Sequence, residues 1–359
     1  MQISAGAVTS AGLNAPSSFA ALRTRLNDFN EVPFIDTRGE PISAGAVSLG
    51  GQADRVSSID KQIAMLAHAI SECLNDLPWL DTSTVPLLLC VAEVTRKGRI
   101  PTLESSLKSG VEDALKRNFS AGSAIYAYGQ AGAMYALNDA FGLIKSHPFI
   151  LIAAVDSYVN AATLLALHKA GRILSTTNQH GFIPGEAACA VLVGAPDKVA
   201  QVRPRFSNVQ RETASPSGSD STLFCTGLGI TREVAVLGGA APNKAIALAD
   251  AIKVALGGLP AESGSAGLRI SGQSSEDFYA KEFAVAAGRT NVSATPLWML
   301  ADSLGETGAA AGLLAIAWAY ASAHKGYLPS LNTLCLMASD EGERAAALFS
   351  FGQYQAQTR

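Results

Sequence analysis

Gly129-Gln130-Ala131-Gly132-Ala133 opens an apolar stretch running to Ile144, and Gly305-Glu306-Thr307-Gly308-Ala309 opens another running to Tyr320. The two stand 176 residues apart (305 − 129) in a chain of 359. Each reads as a glycine-rich turn feeding a helix rich in alanine and leucine. Small residues at this spacing let two helices, or a helix and a sheet, approach closely. A polar residue follows the first glycine in both copies, at a helix N-terminus where backbone N–H groups are free and a reactive side chain is often placed. The repeat predicts two similar half-domains facing each other across one central site.

Composition fits a large α/β body. Apolar residues make up 48% and charged residues only 16%, below the usual quarter, so much surface is expected to be buried, some of it between subunits. A formal charge of −3 gives no long-range attraction for nucleic acid or an anionic membrane. The five cysteines (Cys73, Cys90, Cys189, Cys225, Cys335) are scattered and have no CxxC spacing. They suggest neither a disulfide framework nor a zinc site, and they fit a reducing, cytoplasmic setting. The opening MQISAGAVTSAGLNAP lacks the basic and long apolar regions of a signal peptide. Ala309 to Ala323 is too short for a membrane span and reads as a buried core helix, so no membrane insertion is expected.

Short apolar runs predict buried strands at Val85–Val91, Phe149–Val155, Cys189–Val193, Val234–Leu237 and Leu268–Ser271. Helical periodicity covers Ser17–Leu26, Ile59–Leu74, Ser105–Arg117, Asn160–Ala170, Asn243–Leu256 and Asp277–Ala287, with Ser58 and Asp302 as start signals. The alternation argues for parallel sheets covered on both faces. Pro204, Pro216 and the run Ser215–Ser221 mark a linker. The expected division is a first half over 1–200, a linker over 201–222 and a second half over 223–359. Arg96, Lys97 and Arg99 form the one tight basic cluster, read as a solvated loop or as a contact for an acidic carrier.

Several blocks together resemble the thiolase-like β-ketoacyl synthases over nearly the whole chain. Ala5-Gly-Ala-Val-Thr-Ser-Ala-Gly-Leu-Asn is similar to the family's first strand and turn, and Phe19–Leu26 to the helix that follows. Asp156-Ser-Tyr, Gly171-Arg-Ile-Leu and Gly181-Phe-Ile-Pro-Gly-Glu-Ala-Ala-Cys-Ala-Val-Leu-Val resemble the stretch closing the first half. Leu304-Gly-Glu-Thr-Gly-Ala-Ala-Ala-Gly resembles the second-half motif that normally carries a histidine. Phe349-Ser-Phe-Gly resembles the last turn, although the chain stops seven residues later, where relatives continue with a glycine-rich turn and strand. The resemblance implies a five-layered αβαβα body with the two glycine-opened helices at its centre. It also implies a two-fold dimer through edge strands of the first half, near Ser123–Gly129.

A condensing synthase needs a thiolate to accept the acyl chain, two histidines to drive decarboxylation and a supporting lysine. Mapped by the resemblance, Gln130 occupies the nucleophile position, Ser271 that of the first histidine, Glu306 that of the second and Ala301 that of the lysine. An amide forms no acyl-enzyme. Glu306, at a helix N-terminus, is expected to stay ionised and to repel an enolate. In the family, glutamine at this position marks loading decarboxylases, which keep their histidines, and chain-length-factor subunits, which lose them; this chain looks more like the second group.

Other candidates carry bland readings. Cys225 has no base near it in sequence and reads as packing. His68 and His168 lie on periodic helices, and His180 in a loop. Glu186 reads as a buried structural carboxylate. There is no GxGxxG or GxxxxGK[ST], and neither cofactor nor metal is expected. The leading functional expectation is a non-catalytic subunit forming a homodimer or a heterodimer with a ketosynthase-like protein, with an acyl carrier protein as a further contact. A bacterial adaptor or chaperone holding a secretion-system effector is the alternative. A residual malonyl decarboxylase or acyltransferase is the third.

Overall fold

The computed structural model describes residues 1–50, 58–198, 221–259 and 265–353. In chain order its first part has β1 (Gln2–Thr9), α1 (Ala15–Thr24), the hairpin β2 (Asn30–Ile35) and β3 (Pro41–Ala44), α2 (Ile59–Leu74), β4 (Leu87–Cys90) and α3 (Leu103–Leu115). There follow β5 (Ala124–Tyr126), α4 (Gly132–Leu143), β6 (Phe149–Ser157), α5 (Ala161–Lys169) and β7 (Glu186–Gly194). The second part has β8 (Ser221–Arg232), α6 (Ile246–Leu256), β9 (Leu268–Ser271), α7 (Asp277–Arg289) and β10 (Leu297–Met299). It ends with α8 (Ala301–Leu304), α9 (Ala311–His324), β11 (Asn332–Ala338) and β12 (Glu343–Gln353).

The duplication is visible in strand pairing. One five-stranded sheet runs β1-β7-β6-β4-β5 and the other β8-β12-β11-β9-β10. In each, the first two pairings are antiparallel and the last two parallel. Side-chain alternation then sorts the layers. Leu88, Cys90, Ile150 and Ile152 face a central core with α4 and α9, which Ile270, Cys335 and Met337 close from the second sheet. Leu87, Leu89, Leu151 and Ala153 face outward onto α2 and α3, and Leu334, Leu336 and Leu348 face α6 and α7. The result is the five-layered αβαβα order.

Local chemistry accounts for the helices. Ser58 accepts from the Lys61 N–H and begins α2, with Asp60 in the first turn and a buried apolar stripe through Met65, Leu66, Ile70 and Cys73. α9 is apolar nearly all round because both sheets enclose it; only its end is partly exposed.

Three expectations fail on position. The two glycine motifs are not structural equivalents at 176 residues. Gly129, with φ +53°, opens a 3-10 turn (Gly129–Ala131) into α4, and its counterpart is Gly308, with φ +51°, opening Gly308–Ala310 into α9. The structural offset is 179 (308 − 129); Gly305 instead caps α8. The Val234–Leu237 run is a loop after β8, with Val234 87% exposed, where the Val236 N–H closes back on the Val234 carbonyl at 3.2 Å instead of joining a ladder. Phe349–Gly352 lies in the C-terminal half of β12, paired with β8, and the turn before the strand is 339–342. Of the expected linker, 201–220 lies outside the described residues, and Ser221 and Thr222 open β8. Among the described residues no helix is long and apolar enough to cross a membrane.

Candidate functional site

The parallel strands β4, β5, β6, β9, β10 and β11 deliver their C-terminal ends to one region, where open α/β sheets commonly place their sites. There the two halves meet. Glu306 is held by backbone: its N–H donates to the Ile183 carbonyl at 2.8 Å, and Gly185 donates to its carbonyl at 3.0 Å. Gly305 has φ +70°, and a Cβ there would lie 2.6 Å from the Ile183 oxygen, so this crossing requires glycine. The Pro184-Gly-Glu segment is thus the strap that positions Glu306.

The Glu306 carboxylate Oε1 accepts from Gln130 Nε2 at 2.7 Å and from the Gly308 N–H at 2.8 Å. Both side chains are buried, Gln130 7% and Glu306 4% exposed. Burial pushes Glu306 up to about 8, against the hydrogen bonds and Arg96, which lower it. The carboxyl is therefore mostly neutral at pH 7. This corrects the expectation of an ionised Glu306: desolvation outweighs the helix terminus here. Among the described residues, Gln130 Oε1 has no hydrogen-bond partner.

A buried ionic cluster flanks this pair. Arg96 bonds Asp156 at 2.7 Å and also Glu93, and its guanidinium lies 4.1 Å over the Tyr158 ring. Asp156 Oδ2 accepts from the Ala309 N–H at 2.8 Å, at the start of the second central helix. A Cβ on Gly129 would strike the Glu93 carboxylate and one on Gly308 would strike Asp156, each at 2.0 Å. Burial raises Glu93, with Arg96 opposing. Arg96 is thus neither a solvated loop residue nor a carrier contact, but a charge locked inside. Arg99 pairs with Glu104, and Lys97 is exposed.

Arg172 closes the site from the other side. It makes a bidentate pair with Glu276 (2.8 Å for both bonds) and reaches Asp340 at 2.5 and 3.2 Å. Tyr279 donates its hydroxyl to Asp340. What remains is a void of ≈ 10 Å³ lined by Gln130, Glu306, Glu93, Tyr158, Arg172 and Asp340, among others, room for one water.

The structure brings Gln130 and Glu306 together. Ser271 is buried beside them, its Oγ accepting from the Gln273 N–H at 3.0 Å, but neither it nor Ala301 lines the void. Cys225 lies on β8, its thiol pushed up to about 12 by burial, and Cys73 likewise; burial raises Cys90, Cys189 and Cys335 too. His68 is exposed, His168 contacts Thr37, and His180 lies 3.2 Å from Asp277 at the surface. Glu186 is fully buried and accepts from Lys61, Ser157 and the Val47 N–H. Among the described residues, no three His, Cys, Asp or Glu side chains cluster so as to hold a metal ion.

Sequence reasoning missed the parts played by Glu93, Arg96, Asp156, Arg172 and Asp340. Asp156 and Arg172 stand inside quoted motifs, which was a usable signal. Glu93 and Asp340 had none.

No protein-family model matches the chain, and no curated protein matches it in sequence. Solved structures do. A chain of the type II polyketide synthase complex AntDE:AntF, an acyl-carrier protein with its ketosynthase, superposes with TM-score 0.74 at 14% identity, over 97% of this chain and 98% of that one. The oxazolomycin ketosynthase domain OzmH KS7 of Streptomyces albus gives 0.72 at 13% identity, over 99% of this chain and 75% of that chain. A chain of the ketosynthase ApeO with its chain length factor ApeC, from Xenorhabdus doucetiae, gives 0.71 at 10% identity, over 98% of both. The fold is the thiolase-like ketosynthase fold with two pseudo-duplicated halves.

Proposed function

We propose that the chain is a non-catalytic ketosynthase-like subunit that pairs with another protein, most naturally a cysteine-bearing synthase of the same fold in fatty-acid or polyketide-type synthesis. The observation that carries this reading is Gln130. At the position the family resemblance gives to the nucleophile stands an amide, turned into a hydrogen bond with Glu306. An amide neither attacks a thioester nor ionises.

Three further features support it. All five thiols are raised by burial, so none supplies a thiolate near neutral pH. The void beside Gln130, ≈ 10 Å³, has room for a water and not for a malonyl group. Two of the similar structures are complexes, one of a ketosynthase with a chain length factor and one with an acyl-carrier protein. On this reading the protein works in the cytoplasm, and it shapes or stabilises the active partner rather than forming bonds itself.

Incubation with malonyl-CoA or a malonyl-loaded carrier protein tests the non-catalytic claim. No acetyl product above background is expected. Turnover that Gln130→Ala abolishes would overturn it and favour a residual decarboxylase.

A further inference from the structure

Seven of the nine residues lining the central void are buried; only Arg172 and Asp340 are not, with side chains 19% and 35% exposed. Gln130 and Glu306 form its floor and the Arg172–Asp340 pair its roof. Of the residues lining the void, that pair is the part exposed to solvent.

The roof is built asymmetrically. Glu276, 7% exposed, holds Arg172 through two parallel bonds of 2.8 Å, the stronger geometry for a guanidinium and a carboxylate. Asp340 takes the remaining edge from the turn 339–342 and, among the described residues, its carboxylate is held besides by the Tyr279 hydroxyl. Burial alone would raise Asp340, but Arg172 and the Tyr279 hydroxyl hold it below the usual carboxylate range. Three separate segments meet here: the stretch just after α5 that carries Arg172, the loop between β9 and α7, and the β11–β12 turn. Breaking the contact with Asp340 leaves Arg172 docked on Glu276.

We propose that Asp340 is an internal plug, a carboxylate that occupies the free edge of Arg172 and gates access to Gln130. The group that would replace it on Arg172 is another oxyanion, a carboxylate or phosphate, because the guanidinium offers paired N–H donors there. The gate does not depend on whether the chain pairs with a synthase.

A cysteine reporter reads the gate. Gln130→Cys is treated with iodoacetamide, alone and combined with Asp340→Asn, and labelling at each cysteine is followed by peptide mass mapping. Ser274→Cys, also lining the void, serves as a second reporter if Gln130→Cys fails to fold. The expected result is labelling faster by about tenfold or more once the Asp340 charge is gone, the size of losing a charge-assisted hydrogen bond. Cys90, buried on β4, should stay unlabelled. Equal reporter rates with and without Asp340→Asn overturn the gate. Parallel labelling of Cys90 also overturns it, because access would then come from general opening.

Discussion

Gln130 and Glu306 stand in different registers of the duplication, yet their side chains meet in a 2.7 Å hydrogen bond. Gln130 is the middle residue of the 3-10 turn that opens the first central helix. Glu306 precedes the matching turn of the second. The contact is a joint between halves and not a symmetric pair. It gives one end of the joint to a carboxyl whose proton is retained by burial.

Stability should therefore fall as pH rises through the neutral range. The folded chain holds the Glu306 proton up to about pH 8, whereas the unfolded chain releases it near the ordinary value of 4.5. Between those values the folded state binds more protons, so this contribution is fully present below about 4.5 and lost by about 8. The full span is roughly 3–5 kcal/mol. Thermal melts from pH 5 to 8.5 should show a decline in the wild type that Glu306→Gln flattens. Parallel curves for the two proteins would contradict it.

Arg344 and Glu282 form a fully buried pair at 2.6 Å that ties β12 to α7. Glu282→Ala leaves an uncompensated guanidinium in the core, and denaturant titration should show a loss of about 3–5 kcal/mol. Lys253→Ala, which removes an exposed pair with Asp250, should cost about 0–1 kcal/mol. Equal losses would mean that the Glu282 site is better solvated than its burial indicates.

Gln130→Cys alone should not give condensation. It returns a thiol, but Ser271, Ala301 and Glu306 would still lack the groups that drive decarboxylation. Robust product from acyl and malonyl thioesters with that single variant would show that a partner or another residue supplies them.

Much of the fold could be read in the sequence, for identifiable reasons. α2 runs Ile59–Leu74 as its periodicity and Ser58 predicted, and β6 and β7 carry the continuous apolar runs of doubly covered strands. β8 and β12 escaped because Thr226-Gly-Leu-Gly and Ala345-Ala-Ala have little β-branched character; tertiary pairing overrides propensity there. The site was legible at Gln130 and Glu306, and in part at Asp156 and Arg172, which stand in motif-bearing stretches. Glu93 and Asp340 come from loops at the ends of β4 and β11, where no period marks a residue. The charge state of Glu306 was misjudged because sequence shows a helix terminus but not its burial.

The edge of the first sheet offers a further test. β5 is its last strand, with Ala124 exposed and Ala127 just beyond it half-buried, and no charged residue lies between Ala121 and Leu137. An unpaired edge of this kind needs cover. Ala127→Arg should cause aggregation or loss of soluble protein by placing an unpaired charge in the proposed interface. A soluble variant with unchanged mass by light scattering would put the interface elsewhere.

The central claim is that this chain completes a partner. The most direct measurement is co-expression with a cysteine-bearing synthase of the same fold, followed by size-exclusion chromatography with light scattering. One stable heterodimer containing both chains is expected, with thiol labelling confined to the partner's nucleophile. A strict homodimer of this chain, eluting apart from the synthase, would contradict it.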